Sequence, residues 1–228
     1  MSPLGNVLVV LGSGPGVGLA TAKLFSKHRT FAKIAVVSRN PERLAKEAEE
    51  VEVAGGGKVE VVAYPTDLGN IAQLRKTLAR IEQLGPVSTI FYNAARINPT
   101  EALATSVDEL EEDFRITNSG LYVTAQWGIP LLQKSGHHEP AFLVTNTFLV
   151  ESPLPILLSL SAVKASHQNM VQNLHATFGK DIHFALFKIL GIVSPDAPSC
   201  NPDNIAKTIV RATEQVKRTW ELMVEIPA

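Results

Sequence analysis

The stretch that most restricts the fold is Gly12-Ser13-Gly14-Pro15-Gly16-Val17-Gly18, between the apolar run Val7-Leu8-Val9-Val10-Leu11 and a segment with helical spacing at Leu19, Ala22, Lys23 and Phe25. A short apolar run stopped by glycine reads as a parallel strand buried on both faces. Strand, glycine turn and helix in that order direct backbone N–H groups and the positive end of a helix toward one point. Gly12 permits the tight turn, Gly14 or Gly16 lets the backbone come close to phosphate, and Gly18 lets the helix pack on the sheet, with Ser13 and Val17 completing the loop. A lone glycine fingerprint is weak evidence. Here Gly12, Gly16 and Gly18 fit the more particular spacing G-x-x-x-G-x-G, and a strand and a helix flank it. The turn therefore predicts a site for the pyrophosphate of a dinucleotide.

The alternation continues along the chain. Strands are expected at Ile34–Val37, Lys58–Tyr64, Val87–Tyr92, Ala141–Thr147, His183–Ile189 and Trp220–Glu225. Helices are expected at Val17–Lys27, Glu42–Val53, Ile71–Leu84, Val107–Gln133, Ile156–Phe178 and Pro202–Lys217, the second announced by Ser38-Arg39-Asn40-Pro41. Proline at a first helical position costs nothing, because that N–H has no partner inside the helix. About seven strands alternating with helices predict a Rossmann-type α/β fold: a doubly wound parallel sheet with helices on both faces. Short linkers and uniform composition predict a single dinucleotide-binding domain over 1–228.

The end of the second strand bears on which dinucleotide is bound. A free ribose 2′-OH, as in NAD, calls for a carboxylate there, whereas the 2′-phosphate of NADP calls for a positive group. The chain offers Ser38 and Arg39, with Arg43 one helical turn on, and a guanidinium can hold phosphate through two hydrogen bonds. NADP(H) is favoured over NAD(H); Arg39 as a plain solvated residue at a helix start is the alternative.

Composition removes other classes. The net charge of −1 gives no electrostatic case for nucleic acid or an anionic membrane as partner. No apolar run approaches the ~20 residues of a membrane span, and Met1-Ser2-Pro3-Leu4-Gly5-Asn6 lacks the basic start of a secretory signal. With Cys200 as its one cysteine the chain suits a reducing compartment, and a cytoplasmic location is expected. The six histidines show no ligand spacing, so no metal site is expected, and His137-His138 beside Gly136 reads as exposed loop.

Further motifs give the chain a resemblance to the short-chain dehydrogenase/reductase family over nearly its whole length. Thr66-Asp67-Leu68 resembles the family's adenine-contacting aspartate, although Asp67 also suits a helix N-cap. Tyr92-Asn93-Ala94-Ala95 resembles the family's Asn-Asn-Ala-Gly, and Asn118 falls where the family keeps a mid-helix asparagine. By resemblance, Asp67, Leu68, Asn93, Ala94 and Lys164 join the cofactor set. Asn118, Thr147 and Lys164 become the catalytic candidates.

The resemblance breaks at one position. In Ser159-Leu160-Ser161-Ala162-Val163-Lys164, Lys164 matches the lysine of the family's Tyr-x-x-x-Lys, and Leu160 stands where the tyrosine would be. Thr147 takes the place of the family's serine, and Leu190-Gly191 that of its Pro-Gly. Leucine is neither acid nor base, and losing such a group costs ~10²–10⁴ in rate. Three readings stay open. The first is a reductase of an imine or another acceptor that needs no tyrosine proton. The second is a non-redox isomerase or cyclase; similarity to fungal family homologues with Leu-Ser-x-x-Lys, some joining imine reduction to cycloaddition, supports it. The third is a cofactor-binding protein without chemistry. Tyr122, Glu151 and Arg115 are replacement candidates, more economically read as a packed aromatic and two solvated charges.

The partner implied is a small-molecule substrate. The short segment Ile192–Asn201, with Pro195 and Pro198, predicts a more open cleft than the family's longer lid would leave. The 156–178 helix carries apolar residues on several faces and is expected to be buried all round. By resemblance, a homo-oligomer would form through this helix and the long one before it.

Overall fold

Strand β1 (Val7–Leu11) is buried along its whole length because both faces of the sheet are covered. Val7, Val9 and Leu11 join one apolar core and Leu8 and Val10 the other, the two-residue period of a pleated strand. This computed structural model describes residues 5–28, 31–100, 102–137 and 139–228. His138, read from sequence as exposed loop, lies outside the described residues, as do Met1, Ser2, Pro3 and Leu4.

Six further strands complete one parallel sheet: β2 (Lys33–Ser38), β3 (Glu60–Pro65), β4 (Val87–Tyr92), β5 (Ala141–Thr147), β6 (His183–Ile189) and β7 (Met223–Ile226). Their order is β3-β2-β1-β4-β5-β6-β7. The chain winds outward to β3 and returns to β4 on the other side of β1, leaving a crevice above the carboxyl ends of β1 and β4 where such sheets take their ligands. Helices α1 (Val17–His28), α2 (Pro41–Ala54) and α7 (Pro202–Ala212) cover one face. Helices α3 (Ile71–Ile81), α5 (Gly120–Lys134) and α6 (Leu158–Phe178) cover the other. The expected fold class is the one observed.

Several local expectations need correction. The long 107–133 helix is α4 (Val107–Phe114) and α5 joined by a π-helical turn, Arg115–Ser119. The wider turn frees the Ile116 carbonyl, which accepts from the buried Tyr92 hydroxyl. Helix α3 is capped by Asn70, whose side chain accepts from Gln73 N at 3.1 Å, and not by Asp67. Helix α6 is not buried all round: Leu160, Val163, Lys164, His167 and Val171 form its buried stripe, while Ala162, Ala165, Asn169 and Asn173 are exposed. The last strand begins at Met223 because Trp220 stacks flat on His183, rings 5.2 Å apart, instead of extending the sheet.

Gly12 has φ +90°, and a Cβ there would lie 2.6 Å from Ala94 N. Both the backbone and the neighbour forbid a side chain. Gly12→Ala is therefore expected to cost more than about 2 kcal/mol, read as a lowered Tm. Gly14→Ala, with nothing within 4 Å of the added Cβ, should leave Tm nearly unchanged. Equal losses in the two variants would refute this account of the turn.

Candidate functional site

The carboxyl ends of the central strands open into a cleft of about 640 Å³. One end is built from the glycine turn. Gly18 closes tightly on it, since a Cβ at 18 would sit 2.5 Å from Gly12 O, whereas Gly14 and Gly16 leave their Cβ directions open. Asn93, directly after β4, fastens the turn from behind. Its Nδ2 donates to Gly12 O at 3.1 Å, and its Oδ1 accepts from Thr145 Oγ1 at 2.9 Å. The cleft brings together Gly12, Ser13, Gly14, Gly16, Val17, Gly18, Ser38, Arg39, Asp67, Leu68, Asn93, Ala94, Thr147 and Lys164. Asn118 is not in its wall. It is buried in the π turn and donates from Nδ2 to Val163 O at 3.1 Å, behind α6.

At the β2 end, Arg39 and Arg43 line the cleft beside Ser38, whose buried hydroxyl has no partner among the described residues. A carboxylate missed in the sequence lies beneath. Glu47 is 2% exposed; its Oε2 accepts from Ser13 Oγ at 2.7 Å, and its Oε1 is 3.2 Å from Arg43 Nε. The four-residue spacing of Arg43 and Glu47 was readable as a helix pair, but only the close packing of α2 on the turn buries it. The sole carboxylate lining the cleft, among the described residues, is Asp67, whose Oδ1 accepts from Gly69 N at 2.9 Å.

Midway along the cleft, α6 sets Lys164 among buried groups. Its Nζ donates to Thr145 O at 2.9 Å and lies 3.5 Å from His167 Nδ1. Burial lowers the Lys164 pKa from 10.5 to about 8. Burial, then the Lys164 charge, holds His167 well below the ordinary histidine value. One turn earlier Leu160 lines the cleft and packs with Leu149 and Val163 in a small apolar cluster apart from the two main cores. Thr147 Oγ1 accepts from Leu149 N at 3.4 Å, which leaves its proton free to donate.

The far end holds another group the sequence reading missed. Arg96 Nη1 is 2.6 Å from Glu112 and 3.2 Å from Asp113; its Nη2 is 3.9 Å from Glu109. Buried Asp113 also accepts from Ser159 Oγ at 2.6 Å. Ser159 N donates to Thr100 Oγ1 at 3.3 Å, replacing the side-chain cap that Leu157 cannot give α6. Arg96 follows Asn93-Ala94-Ala95 immediately, and that position was the available signal. Tyr122 is half-exposed rather than packed, Arg115 is exposed, and Glu151 pairs with Lys188 at 3.0 Å; none of the three lines the cleft.

Among the described residues no helix is long and apolar enough to cross a membrane, and no group of three or more His, Cys, Asp or Glu is placed to hold a metal ion. A model of the short chain dehydrogenase family matches residues 6–186. The 2,3-dihydro-2,3-dihydroxybenzoate dehydrogenase of Bacillus subtilis is 28% identical over 119 residues, 52% of this chain and 44% of that protein. The chain spans about half the length of the first curated relatives it matches. L-sorbose reductase from Gluconobacter frateurii, complexed with NADPH and L-sorbose, has the same fold at TM-score 0.84 and 19% identity, covering 98% of this chain and 95% of that one. An NADPH-bound short chain oxidoreductase from Pseudomonas aeruginosa with an atypical catalytic centre matches at TM-score 0.82 and 20% identity, covering 97% and 95%.

The buried lysine has a consequence for stability. Below about pH 8 it is charged in the folded and unfolded chain alike, and folding bears the cost of burying that charge. Between about 8 and 10.5 only the folded chain has lost the proton, so stability rises with pH through this window, by about 3 kcal/mol in all. Lys164→Met lacks this dependence. Its stability relative to the parent, from urea unfolding, should be most favourable below pH 8 and fall by about that amount above pH 10.5. A difference that stays constant with pH would contradict the assignment.

Proposed function

This chain belongs to the short chain dehydrogenase family, and from that premise we propose an NADP(H)-dependent reductase, working as one domain, that acts without a tyrosine proton donor. Its acceptor is a carbon–nitrogen double bond, or another group already activated for hydride. The observation that carries this reading is Leu160: it lines the cleft one helical turn before Lys164, where the family's tyrosine would stand, and bears no titratable group. A protonated imine arrives with its proton in place and needs none from the protein.

The residues fit the cofactor. The N-terminus of α1 and the open sides of Gly14 and Gly16 suit a pyrophosphate. The Ser38 hydroxyl, without a partner among the described residues, suits a 2′-phosphate together with Arg39 and Arg43, and Glu47 beneath them is already engaged. Two solved proteins of this fold carry NADPH. When bound, the cofactor supplies a hydride. Lys164 holds the ribose beside it, Thr147 orients the substrate nitrogen or oxygen, and Asn118 fixes the helix segment behind Lys164. Half-exposed Phe114 and Tyr122 mark the face on which a second copy would pack.

A non-redox isomerisation or cyclisation in the same cleft is the second reading, favoured by the apolar cluster around Leu160. Titration with NADPH, followed by its fluorescence, should show binding that Gly14→Ala weakens. NADPH should be consumed with cyclic imines and hardly at all with the matching ketones. Leu160→Tyr should raise ketone reduction by ~10²–10⁴. Binding without consumption of either substrate would favour the second reading, and absence of binding would overturn both.

A further inference from the structure

The substrate end of the cleft differs sharply from the cofactor end. Ile97, Phe148, Leu154, Leu157, Leu160 and Ile192 face it, and part of this lining is the cluster that neither main core absorbs. Ile97 is 73% and Ile192 81% exposed, so the apolar lining continues out to the mouth. Apolar surface gathered at a concave site marks a place where a ligand removes it from water.

Charge at this end is already spent. Arg96 faces Glu109, Glu112 and Asp113, so its guanidinium is not available to an anionic substrate. Lys164 Nζ is turned to Thr145 O, so it is not free to pair with an anionic substrate either. The polar groups left are the Thr147 hydroxyl and Asn146, whose buried Oδ1 has no partner among the described residues.

From this division, and resting on the cofactor-site reading above, we infer that the substrate is a lipophilic molecule without a carboxylate, phosphate or other fixed anionic group. It carries one polar reacting centre near Thr147, and its apolar body lies along Leu154, Leu157 and Ile97 toward the mouth. The Thr100–Ile156 backbone hydrogen bond, 2.8 Å, holds the two loops that form this wall together, so the surface is built in advance of binding.

Nile red, a neutral lipophilic dye, is a suitable probe with the protein saturated in NADPH, since dye and NADPH report by separate fluorescence. The dye should bind with enhanced emission. The neutral 2-decanone should displace it, while decanoate, equal in chain length but anionic, should be at least tenfold weaker. Leu154→Asn and Ile97→Asn should each weaken dye binding about tenfold and leave NADPH affinity unchanged. Both side chains reach solvent, so the variants keep the fold. Equal displacement by decanoate, unaltered binding in both variants, or displacement of dye prebound to the cofactor-free protein when NADPH is added would overturn the inference. Failure of NADPH to bind, with the dye responding as expected, would overturn the cofactor reading and uphold the apolar site.

Discussion

The tight approach of backbone to backbone between the end of β1 and the residues after β4 is the constraint on which the rest depends. Gly12 lies against the Ala94 backbone, Gly18 against the Gly12 carbonyl, and Asn93 ties that carbonyl to Thr145 of β5. Three neighbouring strands thus end at fixed positions relative to one another. The start of α1 is placed by the same contacts, and so is the floor of the cleft. Few side chains are involved. The precision comes from backbone packed on backbone, which leaves no freedom to relax.

Around that fixed floor, two buried carboxylates are matched locally. Glu47 balances Arg43 and holds Ser13 at one end; Asp113 balances Arg96 and holds Ser159 at the other. Each buried carboxylate has a hydrogen-bonding hydroxyl as well as a cation, the condition under which a buried ion pair recovers its desolvation cost. Lys164 has a carbonyl and an imidazole for neighbours instead, and its lowered pKa reflects that.

Strands β4, β5 and β6 were legible in the sequence to the residue, because each is a short, mostly apolar and β-branched or aromatic run, buried on both faces. The glycine turn was legible too, since strand, turn and helix share one short stretch. What escaped was set by partners distant in sequence. The start of α6 depends on Thr100, the start of β7 on the stacking of Trp220 upon His183, and the burial of Glu47 on α2 meeting the turn. Asp67 and Asn70 both suit a cap, and only the structure shows which one caps α3. Arg96 stood next to a recognised motif, yet nothing in sequence order brings Glu109, Glu112 and Asp113 around it.

The π turn at Arg115–Ser119 acts as a phase shifter. A residue added to an α-helix rotates everything beyond it by about 100°. Helix α4 meets the cleft network through Asp113, while α5 must present Leu121, Ala125, Gly128 and Leu132 to the sheet. The extra residue reconciles these two angular demands on one continuous rod, and Tyr92, rising from β4, occupies the carbonyl it releases. A length change of one residue in this segment would thus be felt along the whole of α5, a turn at a time, and not only where it occurs.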